Sequence, residues 1–278
     1  MPPLPVDPAT VRAIVVAAAR EAVLPRFKAL AAADIRQKSG PNDLVTEADL
    51  HGQRIVTERL GALLPEAAVA GEEGGGTGAE ACAAIAAADL CWVIAPLDGT
   101  HNFAHGKRDF AVMVALVHRG ETMGGWIHQP LTGETHMAVR GEGASSESGR
   151  LRVAEPAPLR EMVAALYIGA KRAPAVHARA KQLRTGALGP EAFHRSAGSE
   201  YLGLAAGRIH YAIFTLHLPW DHAPGALIFA EAGGYLAHWD GRPYRPSAAP
   251  GIPLLLAPDE ATWRTLRDVF DSETDLQR

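Results

Sequence analysis

The stretch Trp92-Val93-Ile94-Ala95-Pro96-Leu97-Asp98-Gly99-Thr100-His101-Asn102-Phe103 decides how this chain is read. Leu90 to Ala95 is an unbroken apolar run, which predicts a buried strand that stops at Pro96. Such a strand delivers Asp98 to its carboxyl end, where ligands of α/β sheets collect. Gly99 lets backbone approach an anion closely, and Thr100 can open a helix whose N–H groups hold phosphate. An ordinary turn closed by an Asx-type bond is the plainer reading of the same residues.

Three more segments place carboxylates beside glycine or a hydroxyl residue: Asp43-Leu44-Val45-Thr46-Glu47-Ala48-Asp49, Gly71-Glu72-Glu73, and Trp220-Asp221-His222-Ala223-Pro224-Gly225 followed by Glu231-Ala232-Gly233-Gly234. Each has a plain structural account. Thr46 with an acidic residue three later is a capping-box pattern. Glu72 and Glu73 suit a solvated loop before three glycines. Asp221 suits a helix cap with Pro224 in the first turn. The chemical account is a hard-cation site, which needs carboxylate oxygens gathered at strand ends.

Between these segments the pattern alternates helix and strand. Asp7-Pro8 opens a helix over Ala9 to about Ala32, Lys38 to Asp43 is a polar turn, and Thr46 opens a second helix to about Leu63. Ala67–Ala70 reads as a strand and Glu80–Ala88 as a short helix. Phe110–His118, Glu121–His128 and Glu134–Val139 read as an antiparallel meander, and Gly141–Gly149 as a small-residue loop. Beyond it, strands are expected at Met162–Ile168, Ile209–Thr215 and Pro253–Ala257. Helices are expected at Ala175–Arg184, Glu200–Gly207, Asp221–Ala232 and Asp259 to about Phe270, with Gly233-Gly234 as a C-cap. The order implies a layered α/β or α+β protein. We place an N-terminal half at residues 1–150 and a C-terminal half at 151–278, closely joined as one catalytic unit.

Lys38-Ser39-x-x-Asp43-Leu44-Val45-Thr46-x-x-Asp49, Gly71-Glu72-Glu73, Trp92-x-Ile94-x-Pro96-Leu97-Asp98-Gly99-Thr100-x-Asn102-Phe103 and Trp220-Asp221-x-Ala223 with Glu231-Ala232-Gly233-Gly234 together resemble the inositol monophosphatase family, in that family's order. The resemblance implies an αβαβα sandwich, usually dimeric, that hydrolyses phosphate monoesters with two or three Mg²⁺ ions. It implies that Glu72 and the Leu97 carbonyl bind one metal, with Glu72 also helping to hold the attacking water, and that Asp98 and Asp221 bind a second, Asp221 also facing substrate. Thr100, paired with Asp49, would orient and deprotonate the attacking water, while the Gly99 and Thr100 backbone cradles phosphate. Asp43 would lie near a third, weaker cation or, like Glu73, support the metal-binding groups. Two divalent cations ~3.5–4 Å apart would neutralise the anionic ester, acidify a water and stabilise the leaving alkoxide.

The chain departs from the family at Ala95, where the family has the aspartate that bridges the two main metals. A methyl group is no ligand, so weak metal binding and impaired turnover are expected. Ala95 is either an introduced substitution or the mark of a non-catalytic binding or regulatory protein. The substrate pocket departs too. Family members selective for inositol carry an acidic residue seven positions before the C-terminal aspartate, and here that place is Phe214. Phe214 would stack on an aromatic leaving group or fill core space. Glu200 would bind a substrate hydroxyl or amino group, or cap its helix. Tyr167, Arg195, His217 and His222 are further pocket candidates. Inositol, histidinol and sugar phosphates are the leading substrates, and a 3′-phosphonucleotide is the alternative.

Net charge is −4 with no basic run, which does not suggest a nucleic-acid partner. Cys82 and Cys91 make neither a disulfide framework nor a zinc site and read as thiols in a reducing compartment. No signal-like start or membrane-length apolar window is seen, so a cytoplasmic protein without membrane contact is expected.

Overall fold

Asp7 accepts the backbone N–H groups of Ala9 and Thr10 and so caps α1 (Pro8–Ala18). The computed structural model describes residues 2–40, 43–74, 76–248 and 251–272. The expected first helix is shorter than its alanine content suggests. It widens into a π-helical turn at Ala19–Val23 and ends in a 3₁₀ turn at Leu24–Arg26. Pro25 explains the stop, because it lacks the N–H that an α-helix needs and its ring crowds the preceding turn. The polar turn expected at Lys38–Asp43 belongs to an antiparallel hairpin, β1 (Ile35–Gly40) and β2 (Asp43–Thr46). Pro41 and Asn42 lie outside the described residues. The capping box forms as expected and starts α2 (Glu47–Leu63).

A seven-stranded sheet follows. Its strands are β3 (Ala68–Gly71), β4 (Leu90–Asp98), β5 (Ala111–His118), β6 (Glu121–Gln129), β7 (Glu134–Val139), β8 (Gly143–Ser146) and β9 (Gly149–Arg150), in sequence order. β3 runs parallel to β4 and the remainder is an antiparallel meander. The parallel connection carries α3 (Gly78–Ala87), and α4 (Thr100–Ala104) follows β4. The loop expected at Gly141–Gly149 instead contains β8 and the start of β9. These strands are too short and too small in side chain to show a period of two.

The rest of the chain builds β10 (Ala164–Tyr167), α5 (Pro174–Leu183), α6 (Ala197–Ala205), β11 (Tyr211–Phe214), α7 (Pro219–Glu231), β12 (Tyr235–His238), β13 (Leu254–Ala257) and α8 (Glu260–Asp271). The four strands order as β10-β11-β13-β12. β12 has no counterpart in the expected pattern, where Gly233-Gly234 marks only the end of a helix.

Alternation along the strands defines the layers. On β4, Trp92 and Ile94 join a core with Val11 and Val15 of α1 and Val56 and Leu60 of α2. Cys91, Val93 and Ala95 join a central core with α6, α7 and Ala212 and Leu256 of the second sheet. Tyr211, Ile213 and Leu255 face a third core with Leu183 and Leu266 of α5 and α8. The result is an αβαβα sandwich, as the resemblance implied. Among the described residues no helix is long and apolar enough to cross a membrane.

Candidate active site

β3 and β4 end side by side, with Glu72 N–H donating 3.0 Å to the Ile94 carbonyl. The amino ends of α2, α4, α6 and α7 meet the carboxyl end of β4. Thr100 stands at the centre. Its hydroxyl lies 2.8 Å from Asp49 Oδ1 and 2.9 Å from the Leu97 carbonyl. One hydroxyl has one proton, so it donates to one of these acceptors at a time. Asp49 is wholly buried, and its Oδ2 accepts the Thr46 N–H at 2.7 Å and the Thr46 hydroxyl at 2.5 Å. Burial pushes the Asp49 carboxyl up to about 6, against the threonine donors that favour its charge.

Asp98 is clamped by the start of α6. Its Oδ2 accepts from Ser196 Oγ at 2.5 Å and Gly198 N–H at 2.8 Å, and its Oδ1 accepts from Ala197 N–H at 3.1 Å. Burial raises its proton affinity and these donors work against that. Two glycines permit the close approach. Gly99 holds φ at +83°, and a Cβ there would stand 2.7 Å from the Asp109 carbonyl oxygen. A Cβ on Gly198 would stand 2.7 Å from the Ala111 methyl and 3.1 Å from Asp98 Oδ2.

Opposite them, Lys38 on β1 reaches Glu72 at 3.2 Å and Glu73 at 2.5 Å. Burial works against the Lys38 charge, but the two glutamates outweigh it and raise the ammonium's proton affinity. Glu72 is held well above the usual carboxylate range by burial and then by the charge of Asp221, with Lys38 opposing. Asp221, in the first turn of α7, is likewise held well above that range by burial and by Asp98. Asp98 thus raises the proton affinity of Asp221 and Asp221 that of Glu72, and Lys38 opposes this at Glu72 and Asp221. Mutual repulsion among oxygen donors is the condition that a hard divalent cation relieves.

Ala95 offers no oxygen there. It is fully buried in β4 opposite Met113, within the central core that also holds Trp220. Among the described residues no group of three or more His, Cys, Asp or Glu side chains forms a ready metal cage. Glu72, Asp98, Asp221 and the Leu97 carbonyl are oxygen donors, the chemistry that suits a hard divalent cation, and the Ala95 side chain adds none. The side chain of Asp43 lies outside the described residues.

The pocket candidates fall in different places. Glu200 is fully buried inside α6. Its Oε1 accepts the Tyr167 hydroxyl at 2.5 Å and the His194 N–H at 2.8 Å, and its Oε2 faces His194 Nδ1 at 3.0 Å. The helix starts at Ala197 and its cap is Ser196, so Glu200 does not cap it. Phe214 is buried between the rings of Tyr167 and Tyr201, at 5.4 and 5.9 Å. His222 meets the Tyr201 hydroxyl at 3.0 Å, and burial pushes its imidazole down to about 3. His217 Nε2 and His238 Nδ1 both donate to the Ile252 carbonyl, at 2.8 and 3.3 Å. Arg195 N–H donates 2.7 Å to the Tyr167 oxygen.

Ser196, Ala197, Gly198 and His194 form part of this arrangement and were not expected in it. Ser196-x-x-Ser199 is an N-cap pattern, the one local signal that a helix end lies here. Nothing in the sequence shows that this end faces Asp98. Asn102, inside the motif, donates to the Asp109 and His194 carbonyls at 2.7 and 2.6 Å and so ties α4 to that loop.

The model of the inositol monophosphatase family matches residues 7–267, and this chain belongs to that family. The fructose-1,6-bisphosphatase/inositol-1-monophosphatase of Thermotoga maritima is 32% identical over 75% of this chain and 77% of its own length. The Nus factor SuhB of Vibrio cholerae is 34% identical over 73% of this chain and 75% of its own. An IMPase structure from Thermotoga maritima superposes with a TM-score of 0.79 over 95% of both chains at 24% identity, a likeness of fold.

Proposed function

We propose that this chain binds a small phosphate monoester at Asp98-Gly99-Thr100 and hydrolyses it to alcohol and inorganic phosphate. The observation that carries this reading is the Thr100 hydroxyl held between Asp49 and the Leu97 carbonyl. A water beside Thr100 passes a proton to the threonine oxygen as Thr100 hands its own to Asp49, whose carboxyl near 6 can take it. The water oxygen bonds to phosphorus while the ester P–O bond breaks in line, the leaving alkoxide takes a proton from solvent water, and Asp49 returns its proton to solvent. The Gly99 and Thr100 backbone N–H groups receive the phosphate oxygens.

Glu72, the Leu97 carbonyl, Asp98 and Asp221 would hold Mg²⁺, with Glu73 and Asp43 in support. The ion, when bound, neutralises phosphate charge and acidifies water. Lacking an oxygen at Ala95, the chain binds the ion weakly and turns over slowly. Glu200 positions Tyr167 and His194 and does not touch substrate. Two copies of the chain associate, as the resemblance implies.

A non-catalytic, ligand-binding role is the second reading, favoured by Ala95. Phosphate release with excess Mg²⁺, measured for the chain and its Ala95→Asp variant over a panel of monoesters, separates the two. Turnover restored in the variant supports the phosphatase. No turnover by either, with no Mg²⁺ bound by the variant, sinks it.

A further inference from the structure

We infer that the exposed ring of Phe193 is a stacking platform and that this site, on the phosphatase reading, takes phosphate monoesters whose alcohol carries a flat aromatic or heteroaromatic ring. Phe193 is 63% exposed, the most exposed of the large apolar side chains among the described residues. One side of its ring is already committed. It stacks on Tyr167 at 5.1 Å and 19°, and Tyr167 stacks on Phe214 at 5.4 Å and 23°. Phe214 in turn stacks on Tyr201 at 5.9 Å and 23°. Phe214 itself is buried and out of reach of a ligand, so the column of rings meets solvent at Phe193.

The support is fixed by polar contacts. Tyr167 donates to the buried Glu200 and accepts from Arg195 N–H, which holds the ring beneath Phe193 in one orientation. A rigid aromatic surface loses little rotamer freedom when a second ring covers it. The column also starts beside the reaction centre. Phe193 precedes by three residues Ser196, whose hydroxyl donates to Asp98. Fully extended chain would put their Cα atoms within roughly 11 Å, and Arg195 bends the path further with φ at +55°. Asp98 is also close enough to add to the raised proton affinity of Tyr167, after burial and Glu200. On this inference the ring of the alcohol rests on Phe193, joined through a linker to a phosphate at Asp98-Gly99-Thr100.

Calorimetry on the full chain with Mg²⁺ tests this without requiring turnover. The probes are inorganic phosphate, 2-phenylethyl phosphate and 2-cyclohexylethyl phosphate. The phenyl ester should bind about tenfold more tightly than the cyclohexyl ester, the scale of ring stacking. Phe193→Ala should equalise the two, and Phe193→Tyr should keep the preference. Equal affinities in the unaltered chain overturn the proposal, as does a preference that survives Phe193→Ala. If inorganic phosphate binds and the ring makes no difference, the platform fails and the phosphatase reading stands. If neither phosphate nor ester binds, both fail. Sedimentation that changes in Phe193→Ala while the esters bind equally throughout marks the ring as a subunit contact and overturns it too.

Discussion

The Thr100 hydroxyl and the Asp49 carboxylate, 2.8 Å apart, join the start of α4 to the start of α2. They lie far apart in sequence, and Asp49 is sealed from solvent. On the proposed reaction they move one proton as a unit. In an Ala95→Asp background, Thr100→Ala and Asp49→Asn should each lower kcat by about 10²–10⁴-fold. The double variant should be scarcely worse than either single one, because parts of one device do not add. Losses that multiply would show that the two residues act separately.

Asp49 also makes stability depend on pH. Its carboxyl is near 6 in the fold and has an ordinary value of 3.8, so its protonated form is favoured in the native state. The contribution is fully present below the ordinary value and is lost as pH rises through about 6. Urea unfolding of the chain and of Asp49→Asn at pH 4 and pH 7 measures it. The stability difference between them should shift by about 2 kcal/mol against the unaltered chain on going from pH 4 to pH 7. A difference that is flat with pH would contradict the raised value.

Glu200 raises the proton affinity of His194 through a hydrogen bond, against partial burial. The stabilisation is present below the ordinary histidine range and fades as pH rises through the raised value. Glu200→Gln should therefore destabilise the fold more at pH 5 than at pH 8 by thermal melting. Equal losses at both would show that only the neutral hydrogen bonds matter.

At Gly99, replacement by alanine meets both a left-handed backbone and the Asp109 carbonyl. Gly99→Ala should cost about 1–3 kcal/mol of stability and weaken inorganic phosphate binding together. Unchanged phosphate affinity in calorimetry would separate the turn from the cradle.

Long or strongly patterned elements were legible in the sequence. The apolar β4, the meander β5–β7 and the capping box at Thr46 follow from period, turn residues and local donors, and the motif order indicated the layered fold. Short elements were not. β1 is polar through Arg36, Gln37 and Lys38 with no apolar alternation, β8 and β9 are nearly featureless, and β12 directly follows two glycines that read as an ending. The roles of distant partners were also hidden. Glu200 could be assigned to substrate because sequence cannot show that Tyr167 and His194 enclose it. Ser196 and Gly198 meet Asp98 across a span that no local pattern records.

Two imidazoles share the carbonyl of Ile252: His217 lies on the strap leading into α7, and His238 at the end of β12. That strap carries Trp220 and Asp221 to the site. A residue well downstream of every proposed ligand therefore anchors the segment that delivers one of them. A nascent or shortened chain ending before Ile252 holds every proposed ligand but lacks this anchor for the segment that leads to Asp221.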